Sequence, residues 1–276
     1  MKLRDCTPED LADAWESVKK ARPLVLHITN GVAAALQANA CLAVGASPLM
    51  SQYPEEIEEL LVLSRGFLVN LGTPTETAWE AVKRGMTEID PQKCFTLLDP
   101  VGYGASSFRV ESSETLLEEY SFSVVKGNAG EISLLAGVGG ATKGVDVLLA
   151  GDLEKGVVEL AQKHGTLVVA TGEVDNVSDG GNLVRVRGGS GMLPLISGSG
   201  CVAGTVVLSV IAACGEVSLG TLCGLLAMGM ASERAEGAGE KRAGPGTFAA
   251  RLLDELHGLS CDDFRHAGCR GRWNVD

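Results

Sequence analysis

A glycine-rich stretch in the last third of the chain carries the clearest chemical signal. Residues 197–204 include three glycines and lead directly into an apolar segment. Glycine lets the backbone approach a ligand closely, and the free amides and positive dipole end of a helix N-terminus attract anions. No Lys-Ser or Lys-Thr follows, as a P-loop requires, and the spacing is not that of a dinucleotide fingerprint. Alone, the stretch indicates either a phosphate site or a flexible turn before a buried helix.

Cys201 falls in the first turn of the helix predicted after these glycines. A helix N-terminus usually lowers the pKa of a thiol below its free value of about 8.5. The resulting thiolate could accept a proton from a substrate alcohol, or simply lie beside it. The alternative is a small buried apolar residue, which is the usual environment of a free cysteine.

Two carboxylates are the best candidates to face phosphates. Asp99 ends a predicted strand, and Glu131 follows Asn128 by three residues. Magnesium on a nucleotide is commonly held by one or two carboxylates, often through water. Asp99 could instead be a turn residue before Pro100, and Glu131 the acidic half of a capping box. Four histidines lack metal-ligand spacing, and we expect them to be structural: His27, His164, His257 and His266.

These residues need a scaffold, and the hydrophobic pattern predicts an α/β fold with a central, mostly parallel sheet. Short apolar runs alternate with amphipathic segments, and the runs are continuous, as in strands covered on both faces. Ligands of such sheets bind at the carboxyl ends of the strands. Polar residues cluster at those predicted ends: Asn30, Asn70, Asp99, residues 126–128 and residues 171–173.

The predicted elements follow one another with short connections. Strands are expected at residues 23–28, 67–71, 95–98, 123–125 and 166–171, with a hairpin over 174–186 that turns at 179–182. Helices are expected at residues 8–20, 112–120, 152–164, 201–214, 219–231 and 245–257. Four more are marked mainly by their starts: one from Asn30 to 45, one from Pro54, one from a capping box at 73–76 to 86, and one from residue 128. We expect one domain over residues 1–276, ending in a polar tail from about Asp262.

Composition excludes several functional classes. The net charge is −12 with no compensating Lys/Arg cluster, so a nucleic-acid partner is not expected. The apolar stretch 201–232 is split by Gly215-Glu216, which favours two buried helices over a membrane span. Eight cysteines form no C-x-x-C motif, and no apolar signal region begins the chain. We therefore expect reduced thiols and a cytoplasmic location, with disulfides as the alternative.

Several segments, taken in order, resemble the hydroxyethylthiazole kinases, a family of the ribokinase superfamily. The matching segments are residues 27–30, 45–50, 98–105, 126–132, 171–175, 197–201 and 244–248. The resemblance covers roughly residues 23–258. It implies a ribokinase-like fold and transfer of the ATP γ-phosphate to 4-methyl-5-(2-hydroxyethyl)thiazole, in thiamine biosynthesis or salvage. It also implies a homotrimer with active sites between subunits.

The resemblance assigns roles to individual residues. It implies a thiazole pocket lined by Asn30, Val32, Met50 and Gly198. It implies ATP contacts from Lys126, Thr171 and Gly200. It implies that Asp99 and Glu131 serve Mg²⁺, and that Cys201 stands where related sugar and vitamin kinases place an aspartate base.

Four positions depart from the family pattern: 31, 126, 197 and 199. Lys126 replaces the usual arginine, which keeps the charge but loses the bidentate fork. The family's Thr-Gly-Thr-Gly-Cys is Ser-Gly-Ser-Gly-Cys here, which keeps both hydroxyls. Gly31 replaces a larger, often aromatic residue. None of these changes removes a chemical group that the reaction needs.

Two other functions remain open at this point. One is a related vitamin-precursor kinase that acts on a pyrimidine or pyridine alcohol, because Met50 and the apolar surroundings of Asn30 suit any small, weakly polar ring. The other is a catalytically silent binding protein with the same fold, which the retained Asp99, Glu131, Thr171 and Cys201 disfavour.

Overall fold

A computed structural model describes residues 3–138, 150–237, 243–269 and 273–275. In these residues nine strands form one sheet in the order β2-β1-β3-β4-β5-β6-β7-β8-β9. The strands are β1 (Leu24–Ile28), β2 (Ser47–Met50), β3 (Gly66–Asn70), β4 (Phe95–Asp99), β5 (Val124–Asn128), β6 (Leu167–Thr171), β7 (Val174–Ser178), β8 (Leu183–Arg187) and β9 (Trp273–Val275). The first six are parallel and the last three are added antiparallel, which confirms the predicted sheet.

Helices cover both faces of this sheet. They are α1 (Pro8–Ala21), α2 (Ala34–Val44), α3 (Pro54–Leu63), α4 (Glu76–Glu88), α5 (Ser107–Glu119), α6 (Ala129–Leu135), α7 (Ala150–His164), α8 (Ser199–Cys214), α9 (Val217–Glu236), α10 (Pro245–Gly258) and α11 (Cys261–Cys269). Along β3, Leu68 packs into the core beneath α1, α2 and α8 to α11, while Phe67 and Val69 pack beneath α3 to α7. Burial on both faces explains why the strands read as continuous apolar runs.

Side-chain caps fix several helix starts. Thr7 and Asn128 form capping boxes with Asp10 and Glu131, and the second of these is the alternative considered for Glu131 from the sequence. The capping box predicted at residues 73–76 is wrong: Thr75 caps α4 by accepting from the amide of Ala78. Helix α5 begins at Ser107, five residues before the predicted start at residue 112, because Ser106 caps it.

The segment after β1 also differs from the prediction. Asn30 accepts from the amides of Val32 and Ala33, so its side chain closes a turn and α2 begins only at Ala34. The short strand β2 was not predicted. It lies at the sheet edge, where Pro48 is tolerated, and it lacks a buried apolar run. Together the turn and β2 fix the positions of Asn30 and Met50.

The apolar stretch forms two buried helices, as predicted, separated by Gly215 with φ of 75°. A Cβ at Gly224 would lie 2.6 Å from the Cα of Val207, and one at Gly220 would lie 2.7 Å from the Cα of Ile211. These glycines therefore let α9 pack closely on α8. No helix among the described residues is long and apolar enough to span a bilayer.

The C-terminal segment is not simply a polar tail. Helix α11 places Phe264 in full burial, with its ring centroid 5.1 Å from that of Trp15 on α1. Strand β9 then pairs with β8. Among the side chains of α11 whose burial is described, Phe264 and Ala267 are the buried ones, too few to mark a clear helical period in the sequence.

Phe264→Ala should lower the free energy of unfolding by about 3–5 kcal/mol, because it removes a fully buried ring and leaves a cavity. Urea denaturation of the purified protein measures this change. Phe108→Ala is the matched control, since Phe108 is 44% exposed and should cost less than half as much. Equal, small losses for both variants would show that α11 does not pack on α1.

Candidate active site

The carboxyl ends of four neighbouring parallel strands bring the polar residues together. Asn70 ends β3 and lies beside Asp99 at the end of β4, and Lys126 lies on β5. Asn30 follows β1 by two residues. All four side chains are buried. The sheet thus gathers at one edge residues that are nearly a hundred positions apart in sequence.

Asn70 is the centre of this cluster. Its Oδ1 accepts from Asn30 Nδ2 at 2.9 Å and from the amide of Gly72 at 3.0 Å. Its Nδ2 donates to Asp99 Oδ2 at 3.0 Å and to Cys201 Sγ at 3.2 Å. Both ends of the amide are therefore used, and the orientation of Asn70 is fixed. The sequence placed Asn70 among the strand-end polar residues but assigned it no role.

A buried ion pair supplies the charge of the site. Lys126 Nζ lies 3.2 Å from Asp99 Oδ2, and both residues are at most 2% exposed. Burial raises the pKa of Asp99 to about 6, although Lys126 opposes the shift. Burial disfavours the ammonium, but the carboxylates of Asp99 and Glu131 outweigh it and raise the pKa of Lys126. Both groups are ionised at neutral pH.

Cys201 lies on α8, facing the two asparagines. Its Sγ accepts from Asn70 and, at 3.5 Å, from Asn30. Burial raises the pKa of the thiol, and the nearby Asp99 carboxylate raises it further. Lys126 and the asparagine hydrogen bonds lower this pKa, but by less. The expectation of a lowered pKa at the helix N-terminus is thus wrong, because burial dominates, and the resting thiol is protonated.

The glycine-rich stretch forms the N-terminus of α8, as predicted. Gly198 has φ of 87°, and an added Cβ would lie 2.8 Å from Ala33 Cβ, so only glycine fits there. A Cβ at Gly200 would lie 3.7 Å from Lys126 Nζ. No side chain caps the first turn of α8. The loop therefore presents amides between the turn after β1 and the Lys126 ammonium, an arrangement that attracts an anion.

Glu131 has a structural role in this geometry. Its Oε2 accepts from the amide of Asn128 at 2.8 Å, and its Oε1 accepts from the amide of Gly102 at 2.7 Å. The capping box considered from the sequence is present. Each carboxylate oxygen keeps a second lone pair, so a metal or water contact is compatible with these bonds.

The end of β6 adds two polar groups. Thr171 Oγ1 donates to Gly127 O at 3.1 Å, and Thr171 lies beside Asn128 in register. Asp175 accepts from the amide of Gly172 at 3.0 Å. Burial raises the pKa of Asp175 to about 6, although Gly172 and Lys126 lower it. Asp175 lies in the segment 171–175 that stood out in the sequence, but no local feature marked it as a site residue.

Val32 and Met50 are the most solvent-exposed of the predicted site side chains. Val32 is 65% exposed on the turn after β1, and Met50 is 37% exposed at the end of β2. Met50 lies beside His27 of β1 in register. Both apolar side chains thus lie at the same end of the strands as Asn30, and Asn30 Oδ1 accepts from the backbone amide of Val32.

The carboxylates fit a metal that is bound mainly through a ligand. Among the residues that the structure describes, no three His, Cys, Asp or Glu side chains lie close enough to hold a metal ion by themselves. Glu131 lies close enough to Asp99 and Lys126 for its carboxylate to raise the pKa of both groups. A magnesium nucleotide needs only one or two carboxylates, because phosphates and water complete its shell.

Comparisons with known proteins point to one family. The model of the hydroxyethylthiazole kinase family matches residues 15–262. A hydroxyethylthiazole kinase of Caldivirga maquilingensis is 39% identical over 264 residues, with 96% of each chain covered. The solved structure of the hydroxyethylthiazole kinase protein from Pyrococcus horikoshii OT3 superposes with a TM-score of 0.83 and 32% identity, covering 96% of this chain and 98% of that one.

More distant structures share the fold alone. A ribokinase-like superfamily protein from Enterococcus faecalis superposes with a TM-score of 0.63 at 11% identity, covering 93% of this chain and 90% of that chain. The predicted ribokinase-like fold is therefore confirmed.

Alkylation of Cys201 by iodoacetamide should keep accelerating with pH beyond the ordinary thiol pKa of about 8.5, because burial and Asp99 favour the protonated thiol. Peptide mass spectrometry gives the rate at Cys201 alone, and a small thiol alkylated in parallel gives the ordinary profile. An inflection for Cys201 below that of the small thiol would show that the helix N-terminus dominates.

Proposed function

Because the chain belongs to the hydroxyethylthiazole kinase family, we propose that it transfers the γ-phosphoryl group of ATP to the hydroxyl of 4-methyl-5-(2-hydroxyethyl)thiazole, a step of thiamine biosynthesis or salvage. One observation carries the proposal. The buried Lys126–Asp99 pair, the two asparagines and Cys201 meet directly beside an uncapped helix N-terminus. This places positive charge and free amides next to hydrogen-bonding groups that suit an alcohol.

The acceptor binds on the β1 side of the site in this proposal. Asn30, Val32, Met50 and Gly198 line the thiazole pocket. Support comes from the close approach of Gly198 to Ala33, which brings the loop against the turn that carries Asn30 and Val32. Exposed apolar surface on Val32 and Met50 suits a small, weakly polar ring.

The nucleotide binds on the β5 and β6 side. Lys126, Thr171 and Gly200 contact ATP, with Lys126 as a single phosphate contact. The short distance from Gly200 to the Lys126 ammonium supports this, since both can reach the same phosphate. Phosphoryl transfer depends on in-line placement and neutralisation of charge more than on covalent chemistry. Of the amides of residues 198–201, those of Gly198, Gly200 and Cys201 stabilise the transferring phosphoryl group, while that of Ser199 donates to the carbonyl of Ile196.

Cys201 positions the acceptor in this mechanism and does not remove its proton. Its sulfur already accepts from Asn70 and Asn30, and burial raises the pKa of its thiol. A protonated thiol in that position can donate its own hydrogen towards the alcohol oxygen. A loose transition state needs no early deprotonation of the alcohol, whose proton can pass to an oxygen of the transferred phosphoryl group as the new O–P bond forms and the bond to ADP breaks.

We further propose that Asp99 and Glu131 serve Mg²⁺ bound to ATP. The metal would supply additional neutralisation of the phosphate charge. Asp99 already accepts from Lys126 and Asn70, so its carboxylate is oriented before any ligand binds. Glu131 is held by two backbone amides, which fix its carboxylate in the same way.

We also propose one domain that works as a cytoplasmic homotrimer with active sites between subunits. A single sheet through all described strands supports one domain. The exposure of Val32 and Met50 supports a neighbouring subunit over the thiazole pocket, because it would cover these apolar side chains. Six described cysteines form no disulfide, which supports a reducing compartment: Cys41, Cys94, Cys201, Cys214, Cys223 and Cys261.

A coupled assay of ADP release tests the function. Purified protein with Mg²⁺ and ATP is assayed with and without the thiazole alcohol, and the product is identified by mass spectrometry. Thiazole-dependent ADP release with a phosphorylated thiazole supports the proposal. ADP release only with a pyridine or pyrimidine alcohol would reject the thiazole and keep the kinase. Failure with every alcohol would favour a silent binding protein.

Cys201→Ser should slow turnover by about tenfold and leave measurable activity, because serine keeps a hydrogen-bond donor but its shorter reach weakens the contact. Steady-state rates at saturating ATP and thiazole measure the effect. Cys223→Ser is the matched control, since Cys223 is a fully buried cysteine that donates to Leu11 O. A loss beyond about 10³-fold, with the control unaffected, would instead identify Cys201 as the proton acceptor.

A further inference from the structure

A chain of buried polar side chains lies beneath the first turn of α8 and plays no part in the chemistry described above. Its members are His27 and Thr29 from the β1 segment, Gln37 from α2 and Thr205 from α8, each at most 5% exposed. Burying polar groups is unfavourable unless each is hydrogen-bonded. Their association in one place therefore calls for a physical reason.

Both the oxygen and the nitrogen of the Gln37 side-chain amide are hydrogen-bonded within this group of polar residues. Thr29 Oγ1 donates to Gln37 Oε1 at 2.6 Å. Gln37 Nε2 donates to the carbonyl of Cys201 at 3.2 Å and to Thr205 Oγ1 at 3.1 Å. The amide has no spare orientation, because exchanging its oxygen and nitrogen would break these bonds.

His27 completes the chain without adding charge. Its Nδ1 lies 2.9 Å from the carbonyl of Val25, so Nδ1 carries the proton and Nε2 accepts. Thr205 Oγ1 lies 3.2 Å from Nε2 and donates to it, while accepting from Gln37. Burial lowers the pKa of His27 to about 4, so the ring is neutral at physiological pH. The chain is thus an uncharged, fully oriented set of bonds.

Two of the groups that Gln37 bonds, Thr29 and the carbonyl of Cys201, lie on opposite sides of the reaction. Thr29 immediately precedes Asn30 of the proposed acceptor pocket, and its carbonyl accepts from Gln52 Nε2 just after β2. The carbonyl of Cys201 belongs to the turn that presents the anion-binding amides. Gln37 therefore bonds the acceptor side of the site directly to the phosphoryl side.

We propose that Gln37 is a positioning residue, which, together with Thr205, holds the acceptor-binding turn and the first turn of α8 in the relative placement that in-line transfer requires. The inference rests on the proposed function, because its effect on turnover can be measured only if the protein catalyses this transfer. Misplacement of reacting groups by about 1 Å can cost on the order of a hundredfold in rate. Substrate affinity should change little, because each substrate keeps the contacts on its own side of the site.

The first test separates turnover from affinity. Gln37→Met keeps the side-chain volume and removes the bonds, and Thr205→Val removes the hydroxyl without changing shape. In folded protein, both should lower kcat about tenfold or more, with KM for ATP and for the thiazole alcohol within about threefold. Thr205→Ser, which keeps the hydroxyl, should restore kcat. If Gln37→Met does not fold, the Thr205 pair makes the same test.

Thr221→Val is the control for loss of a buried helical hydroxyl. Thr221 is fully buried on α9, and its Oγ1 has no hydrogen-bond partner. Its replacement should leave kcat and KM unchanged. The inference would be overturned if kcat were unchanged in folded Gln37→Met and Thr205→Val, or if KM rose while kcat stayed the same. An equal loss in Thr221→Val would overturn it too.

A second readout does not need activity. Hydrogen exchange at the amides of residues 202–206, the first hydrogen-bonded turn of α8, should be faster in Gln37→Met than in the wild type. Amides of α9 should exchange unchanged. Unaltered exchange in α8 would contradict the positioning role, whether or not the wild type phosphorylates the thiazole. If only the proposed function failed, the α8 amides would still exchange faster in Gln37→Met than in the wild type, but the wild type would show no thiazole-dependent turnover.

Discussion

A lysine ammonium and an aspartate carboxylate lie 3.2 Å apart in the protein interior, and neither could be buried there alone. The pair is held between the ends of β4 and β5, and Asn70 satisfies the carboxylate from the β3 side. Parallel strands make this possible, because their carboxyl ends converge at one edge while helices shield both faces. In the proposed mechanism this pair keeps the Lys126 ammonium fixed at the ends of the strands, where it can contact a phosphate without reorganisation of the site.

The same constraint determines what Cys201 can do. Burial, together with the nearby Asp99 carboxylate, raises the pKa of its thiol, so the sulfur acts through hydrogen bonds and not as a resting thiolate. The surrounding network is neutral and oriented: two asparagines on one side, and Gln37 with its buried partners on the other. Catalysis in this arrangement depends on placement and electrostatics, which is what phosphoryl transfer between two oxygens chiefly requires.

Much of this could be predicted from the sequence, because the signals are local. Continuous apolar strands, the hairpin over residues 174–186 and the glycines before α8 each depend on a few adjacent residues. The failures are non-local. The raised pKa of Cys201 depends on burial by distant strands, and the link from Gln37 to Thr205 spans 168 positions. Edge strand β2 and helix α11 were missed because tertiary packing, and not local pattern, defines them.

In the proposed mechanism the site transfers the phosphoryl group directly, by holding donor and acceptor in line, without a phosphorylated enzyme. The stereochemical course tests it most directly: a γ-thiophosphate of ATP made chiral with oxygen isotopes is transferred to the thiazole alcohol, and the product configuration is determined. A single in-line displacement inverts the configuration, and the protonated Cys201 thiol predicts inversion. Retention would reveal two displacements through a covalent intermediate and would contradict direct transfer from ATP to the alcohol.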